Sequence, residues 1–548
     1  MDRRDFLAVA GSATVAGAGA RAGVNGRRST VDGQPPAVNR GPSTVDQSSD
    51  LDEVTIAQLQ EWLRSGHYTS RSLVDAYLSK IAASDRQGPT LRAVIETNPE
   101  ADRIADDRDA ERRAGRVRGP LHGIPVLVKD NIDTADRMHT SAGSLALATS
   151  IALRDSGVAE KLRAAGAILL GKTNMSEWAN FRSTHSSSGW SGRGGQCRNP
   201  YVLDRTPSGS SSGTGAGIAA NFAAAGIGTE TDGSVTSPSA ACALAGIKPT
   251  VGLVSRAGII PIAHSQDTAG PMGRNVADVA ALLSAIAGSD PRDAATSGAA
   301  AHAADYTRAL DAGALRGARL GVARKHYTGY NAHVDRVFET ALQALRDAGA
   351  IVVDHTDVVT EDHLKNNEQE VLLYECKADL NKYLAGLAAD VPVKTLADLI
   401  AFNEREKDHE MPYFGQELFT QAQEKGPLTM PAYRAALATC RLWSRSQGID
   451  ATMTAHRLDA IVCPTQSTVV PIDIVNGDAA FGNCTTPAAV AGYPHITVPM
   501  GQAFELPLGL SFFGRAWTEA KLIGYAYAFE QATKARKPPR FLPSIETS

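Results

Sequence analysis

With 548 residues, 43% of them hydrophobic and 21% charged, the chain can bury a large core without metal or disulfide staples. A net charge of −4 and the lack of a basic stripe exclude the electrostatic footprint of a nucleic-acid binder. Six cysteines without a CxxC pair and thirteen histidines without an HExxH pattern speak against a zinc site, a disulfide framework and a metal hydrolase, so neither metal nor cofactor is expected.

The chain opens on Arg3-Arg4 ahead of Phe6-Leu7, a mild Ala/Gly/Val stretch, and Ala20-Arg21-Ala22. This resembles a twin-arginine export signal over residues 1–22 and predicts a periplasmic or secreted location. The apolar run is too short and glycine-rich to span a bilayer, so no membrane anchor is expected. Residues 23–50 are rich in Gly, Ser, Pro and Arg and cannot bury enough surface to offset their ordering entropy, which makes them a disordered linker.

A globular domain is expected over 51–543. Thr69-Ser70 starts a helix with apolar positions at Leu73, Val74, Tyr77, Leu78 and Ile81. Residues 124–128 and 167–170 read as buried strands, 276–287 as a helix, and 319–322 and 460–463 as later strands. The segment 361–446 is mostly helical and more charged, the natural candidate for a cap that roofs a site. Strands interleaved with helices predict a layered α/β fold, with no composition break that forces a second domain.

Three segments carry chemistry. The first, Gly123-Ile124-Pro125-Val126-Leu127-Val128-Lys129-Asp130-Asn131, ends an apolar run on a lysine. The second, Pro207-Ser208-Gly209-Ser210-Ser211-Ser212-Gly213-Thr214-Gly215, is dense in Gly and Ser. It contains a G-x-S-x-G match centred on Ser211, but the loop before it lacks the strand that such an elbow needs. Its glycines also miss the G-x-G-x-x-G spacing of a dinucleotide loop. Alone it reads as a flexible loop leading into an Ala-rich helix over 218–225. The third is Gly228-Thr229-Glu230-Thr231-Asp232-Gly233-Ser234-Val235-Thr236-Ser237-Pro238.

Taken together, these segments resemble the amidase signature family. The resemblance implies a nucleophile at Ser234, a serine held by a cis peptide bond at Ser210, and a lysine at Lys129. Ser210 and Ser234 stand 24 residues apart, as the family's pattern requires. It extends to Gly171-Lys172-Thr173-Asn174, Lys248-Pro249-Thr250, Asp267-Thr268-Ala269-Gly270 and Gly492-Tyr493-Pro494. It implies one large α/β/α domain, a mixed central β-sheet covered by helices. The form Thr229-Glu230-Thr231-Asp232-Gly233-Ser234, with Leu373-Tyr374-Glu375, is similar to the subgroup containing bacterial peptide amidases.

The chemistry of amide cleavage asks for these residue types. An amide needs an activated oxygen nucleophile, a proton for the departing nitrogen, and donors for the oxyanion. Lysine serves as a base only when neutral, and burial behind residues 124–128 disfavours its charged form. Successive backbone N–H groups of Thr231, Asp232, Gly233 and Ser234 can form an oxyanion nest. Two departures stand out: Asp232 occupies a position where many members have glycine, and Thr236 one where many have arginine. The lost arginine predicts a neutral substrate. The expected substrate is a small-molecule or peptide amide, a C-terminal peptide amide above all, for an enzyme working as monomer or homodimer. Alternatives are a general aryl or aliphatic acylamidase, the glutaminase component of a tRNA-dependent amidotransferase, and a non-catalytic amide-binding protein. The last should have lost one of Lys129, Ser210 and Ser234, and none is lost.

Overall fold

Thr69 caps the helix Ser70–Ser84 by accepting from the Ser72 N–H, while Ser72 reaches back to the Thr69 backbone, a reciprocal capping box. Its apolar stripe, Leu73, Val74, Tyr77 and Ile81, is buried as the periodicity predicts. These details come from a computed structural model that describes residues 49–358, 361–479 and 481–546. The expected export signal, and the expected linker up to residue 48, lie outside the described residues.

The strands, in chain order, are β1 (Val94–Thr97), β2 (Pro125–Lys129), β3 (Ile168–Thr173), β4 (Trp190–Ser191), β5 (Gly195–Gln196), β6 (Ala225–Glu230), β7 (Ala245–Lys248), β8 (Thr268–Gly273), β9 (Arg319–Val322), β10 (Ile351–Val353), β11 (Ala460–Pro464), β12 (His495–Ala503) and β13 (Leu506–Phe513). Eleven of them form one mixed sheet in the order β1-β3-β2-β6-β8-β7-β12-β13-β11-β9-β10, and β4 pairs with β5 apart from it. Strands β3, β2 and β6 run parallel, while β6, β8 and β7 alternate in direction. Every residue of β2, β3, β6, β8, β11 and β13 is buried. Strands buried on both faces require helical layers on each side, which is the expected single α/β domain. Among the described residues, no helix is long and apolar enough to cross a membrane. All six cysteines are free and buried.

One expectation fails. The Ala-rich helix predicted over 218–225 begins earlier, at Ser212–Ala219, and Ala225 already belongs to β6. The Gly/Ser loop itself winds into helix because close packing demands glycine there. A Cβ on Gly213 would sit 2.2 Å from the Ala93 carbonyl oxygen and 2.5 Å from that of Asn174. Those obstacles are backbone and cannot rotate aside. Gly213→Val is therefore expected to destabilise the protein by about 1–3 kcal/mol or more, read from the denaturant midpoint. An unchanged midpoint would contradict this packing.

The segment 361–446 is helical as predicted, with helices Glu361–Ala385, Leu396–Arg405, Glu417–Glu424 and Pro431–Arg441. They take part in two apolar clusters, one joining Leu380, Leu399 and Phe419 to Met175, Trp178 and Ile262 of the main body, the other joining Leu364, Tyr374 and Tyr433 to Val490.

Candidate active site

Parallel neighbours β2 and β6 deliver the key groups side by side, since ligand sites of open α/β sheets lie beyond the carboxyl ends of strands. Lys129 is the last residue of β2, and Thr229-Glu230 close β6. The Lys129 side chain is fully buried. Its Nζ lies 2.7 Å from Ser210 Oγ, 2.9 Å from Thr229 Oγ1 and 3.2 Å from the Thr229 carbonyl oxygen. Asn131 Nδ2 donates to the same Thr229 hydroxyl at 3.0 Å. Burial pushes the Lys129 ammonium from the ordinary 10.5 down to about 7, with the Asp267 and Glu230 charges pulling the other way.

Ser210 is fully buried, and the Gly209–Ser210 peptide bond is cis. The Ser176 N–H donates to the Ser210 carbonyl at 3.1 Å, and one residue on, the Ser211 N–H donates to the Ser234 carbonyl at 3.1 Å. These bonds stitch the Gly/Ser loop to the loop that carries Ser234. The alternative nucleophile Ser211 is tied into β6: its hydroxyl donates to the Thr229 carbonyl at 3.1 Å and accepts the Thr229 N–H at 3.2 Å. No strand leads directly into it, so the elbow reading of this segment is excluded.

Gly233 has φ +80, the left-handed conformation from which successive N–H groups converge on one point. Among the described residues, the N–H groups of Asp232, Gly233 and Ser234 donate to no other protein group. Glu230, which the motif does not flag, anchors the far side of this loop. Its Oε2 accepts from the N–H groups of Val235 (2.8 Å) and Thr236 (2.9 Å) and from the Thr236 hydroxyl (3.1 Å). Thr236 is thus fully buried and turned away from the cavity, which Ser237 lines instead.

That cavity, of about 360 Å³, opens against Gly209, Asp232 and Gly233. Its remaining walls come from Asn180, Ser188, Thr206, Ser208 and, further along the chain, residues 466–470, 478–479, 481–483 and 485. The expected roof over 361–446 is corrected here. None of its described residues lines this cavity; its helices pack instead onto Met175, Trp178 and Phe181 at one side and Ile260 and Ile262 at another. The cap reaches the site from behind, where Gln266 Nε2 donates to Glu368 Oε1 at 2.9 Å and to the Thr231 carbonyl at 3.3 Å. Among the described residues, no Lys, Arg or His lines the cavity, whereas Asp232 and the exposed Asp478 do.

Away from this site, His264, Glu375 and Asp379 bring ligand-type atoms close together. Each is already engaged: His264 Nδ1 with Asp379 at 2.7 Å, and Glu375 as acceptor from the Tyr433 hydroxyl at 2.7 Å.

Comparisons with known proteins give the family. The family model described as Amidase matches residues 72–523. A probable amidase of Arabidopsis thaliana is 41% identical over 502 residues, covering 90% of this chain and 92% of the relative. A component of the glutamyl-tRNA(Gln) amidotransferase of Chloroflexus aurantiacus is 35% identical, covering 89% of this chain and 98% of the relative. The crystal structure of the native peptide amidase from Stenotrophomonas maltophilia superposes with a TM-score of 0.85 at 50% identity, covering 89% of this chain and 99% of the other. With nearly the whole domain matched, the chain belongs to the amidase signature family and is an amide-hydrolysing enzyme.

Proposed function

We propose that this enzyme hydrolyses carboxylic amides through an acyl-enzyme on Ser234, with Lys129 as base and Ser210 as proton carrier. The observation that carries the reading is the buried contact between Lys129 Nζ and Ser210 Oγ at 2.7 Å. A neutral amine has two N–H donors and one lone pair. The Thr229 carbonyl and hydroxyl take the two donors, which leaves the lone pair for the Ser210 hydroxyl proton. Ser210 then accepts the proton of Ser234 as Ser234 Oγ attacks the carbonyl carbon. The oxyanion forms against the free N–H groups around Gly233. The proton returns through Ser210 to the departing nitrogen, the amine leaves, and water cleaves the ester by the same relay in reverse.

The substrate reading is a C-terminally amidated peptide that loses ammonia. Its support is the similarity to a peptide amidase at 50% identity and a cavity lined by acidic and neutral groups without a cation among the described residues. Such a wall accepts a neutral amide and repels a free carboxylate, the product included. The amidotransferase reading lacks comparable support, because the expected export signal would remove the enzyme from aminoacyl-tRNA. Export by the twin-arginine route remains part of the proposal.

Mass spectrometry of an amidated peptide after incubation tests it. A gain of about one mass unit at the C-terminus, –NH₂ becoming –OH, is the expected result. Internal fragments would overturn the peptide reading. An unchanged peptide alongside rapid cleavage of aryl acylamides would favour a general acylamidase.

A further inference from the structure

Asp232 departs from the glycine common at its position, and its environment is unusual. One carboxylate oxygen accepts from the Thr486 hydroxyl at 2.6 Å. The other, Oδ1, is buried and has no donor among the described residues. The Gln266 amide bridges the Thr231 carbonyl and the carboxyl of Glu368 on helix Glu361–Ala385, which brings Glu368 beside this loop, where its carboxyl interacts with that of Asp232. Glu368 is itself buried, and the donor it does have is the Gln266 amide at 2.9 Å. Two buried carboxylates cannot both be ionised in contact; they meet by sharing a proton.

We infer that Glu368 is a positioning residue: it keeps a proton, donates it to Asp232, and so fixes the loop 231–234 against the cap. The inference rests on the oxyanion role proposed above for that loop. The other groups nearby do not supply a competing proton or counter-ion at Glu368. Glu230 adds negative charge beside Asp232, and Lys248 on β7 acts on Asp232 rather than on Glu368. From helix Pro431–Arg441, Cys440 faces Glu368 as a thiol pushed up to about 12, chiefly by burial. Burial first, and the Asp232 charge second, hold Glu368 well above the ordinary carboxylate range. The Thr486 hydroxyl donates to the Asp232 carboxylate and favours its ionised form, which assigns the proton to Glu368. Gln266 binds both Glu368 and the Thr231 carbonyl, so the cap, the acid pair and the nest form one unit. When Glu368 ionises in alkali, the two carboxylates repel and the loop loses its anchor.

Glu368→Gln supplies an uncharged donor of the same shape, whereas Glu368→Ala leaves Asp232 buried and unpaired. The glutamine variant is expected to keep kcat within a few-fold of the wild type and to lose the alkaline fall in rate. The alanine variant is expected to lose about 10²-fold in kcat, the scale of a displaced oxyanion donor, with KM little changed. Infrared difference spectra of the wild type against Glu368→Gln read the proton without using activity. The expected result is a protonated-carboxylic-acid carbonyl band at neutral pH that vanishes in the glutamine variant. A missing band, a glutamine variant as damaged as the alanine one, or an alanine variant with normal kcat would each overturn the inference. Because the band does not depend on turnover, its loss is distinguishable from failure of the nucleophile assignment, which an active Ser234→Ala protein would reveal.

Discussion

Replacing Ser234 with alanine is expected to abolish amide turnover, and replacing Lys129 with alanine to lower kcat on an unactivated amide by about 10²–10⁴-fold. Alanine at 234 removes the oxygen that would carry the acyl group, and Ser211 cannot replace it. Ser211 has its hydroxyl committed to the β6 backbone in both directions. Alanine at 129 removes the acceptor for the Ser210 proton 2.7 Å away, and no other lysine among the described residues hydrogen-bonds Ser210. Lys172 is also fully buried, but its ammonium is clamped on the Ile132 carbonyl at 2.6 Å and the Thr140 hydroxyl at 2.9 Å. Ser210→Ala should also be severe, with residual activity where a water takes the place of the hydroxyl. Near-normal kcat in Lys129→Ala would rule out the lysine as base.

The second large effect is on pH. Lys129 is active as base only when neutral, and burial brings it down to about 7. The neutral fraction, and with it kcat, rises with pH through that value. At pH 4 only about a thousandth of the enzyme holds a neutral lysine, so kcat should fall about a thousandfold from its plateau. The same shift has a consequence for stability, with the sign fixed by linkage. Between about 7 and the ordinary 10.5, the unfolded chain binds the Lys129 proton and the folded protein does not, so stability rises with pH across that window. Below it, the buried charge costs stability. Lys129→Met should therefore raise the melting temperature near neutrality while removing activity. A kcat that stays flat down to pH 4, or a methionine variant that melts lower than wild type, would argue against a depressed lysine.

Much of the scaffold is legible from residue pattern where packing and propensity agree. Residues 319–322 form β9 as read, and helix Val276–Ile286 stops one residue short of the expected end. The glycine-rich strands are where pattern fails. Segment Ala225–Glu230 looks helical at its alanine end, yet it lies between β2 and β8. A Cβ on Gly228 would sit 2.7 Å from Ser211 Oγ, so tertiary contact, not propensity, selects the strand. The site divides the same way. Lys129, Ser210 and Ser234 stand in short motifs that name themselves. Thr229, Asn131 and Glu230 lie inside those motifs, but their roles depend on which atoms meet across β2 and β6. The cavity wall from 466–470, 481–483 and 485 carries no motif and reaches the site through the fold of the distant chain, as does Glu368. Thr236 also plays a different part from the one its position suggests. It is bonded to Glu230, and it is the cavity as a whole, without a cation among the described residues, that favours a neutral substrate.

Peptide mapping by mass spectrometry after exposure to an activated fluorophosphonate decides most directly whether Ser234 is the nucleophile. A single adduct on Ser234 is predicted, absent in Ser234→Ala and formed far more slowly in Lys129→Ala. An adduct on Ser211, or a Ser234→Ala protein that still labels and still hydrolyses amides, would contradict the assignment.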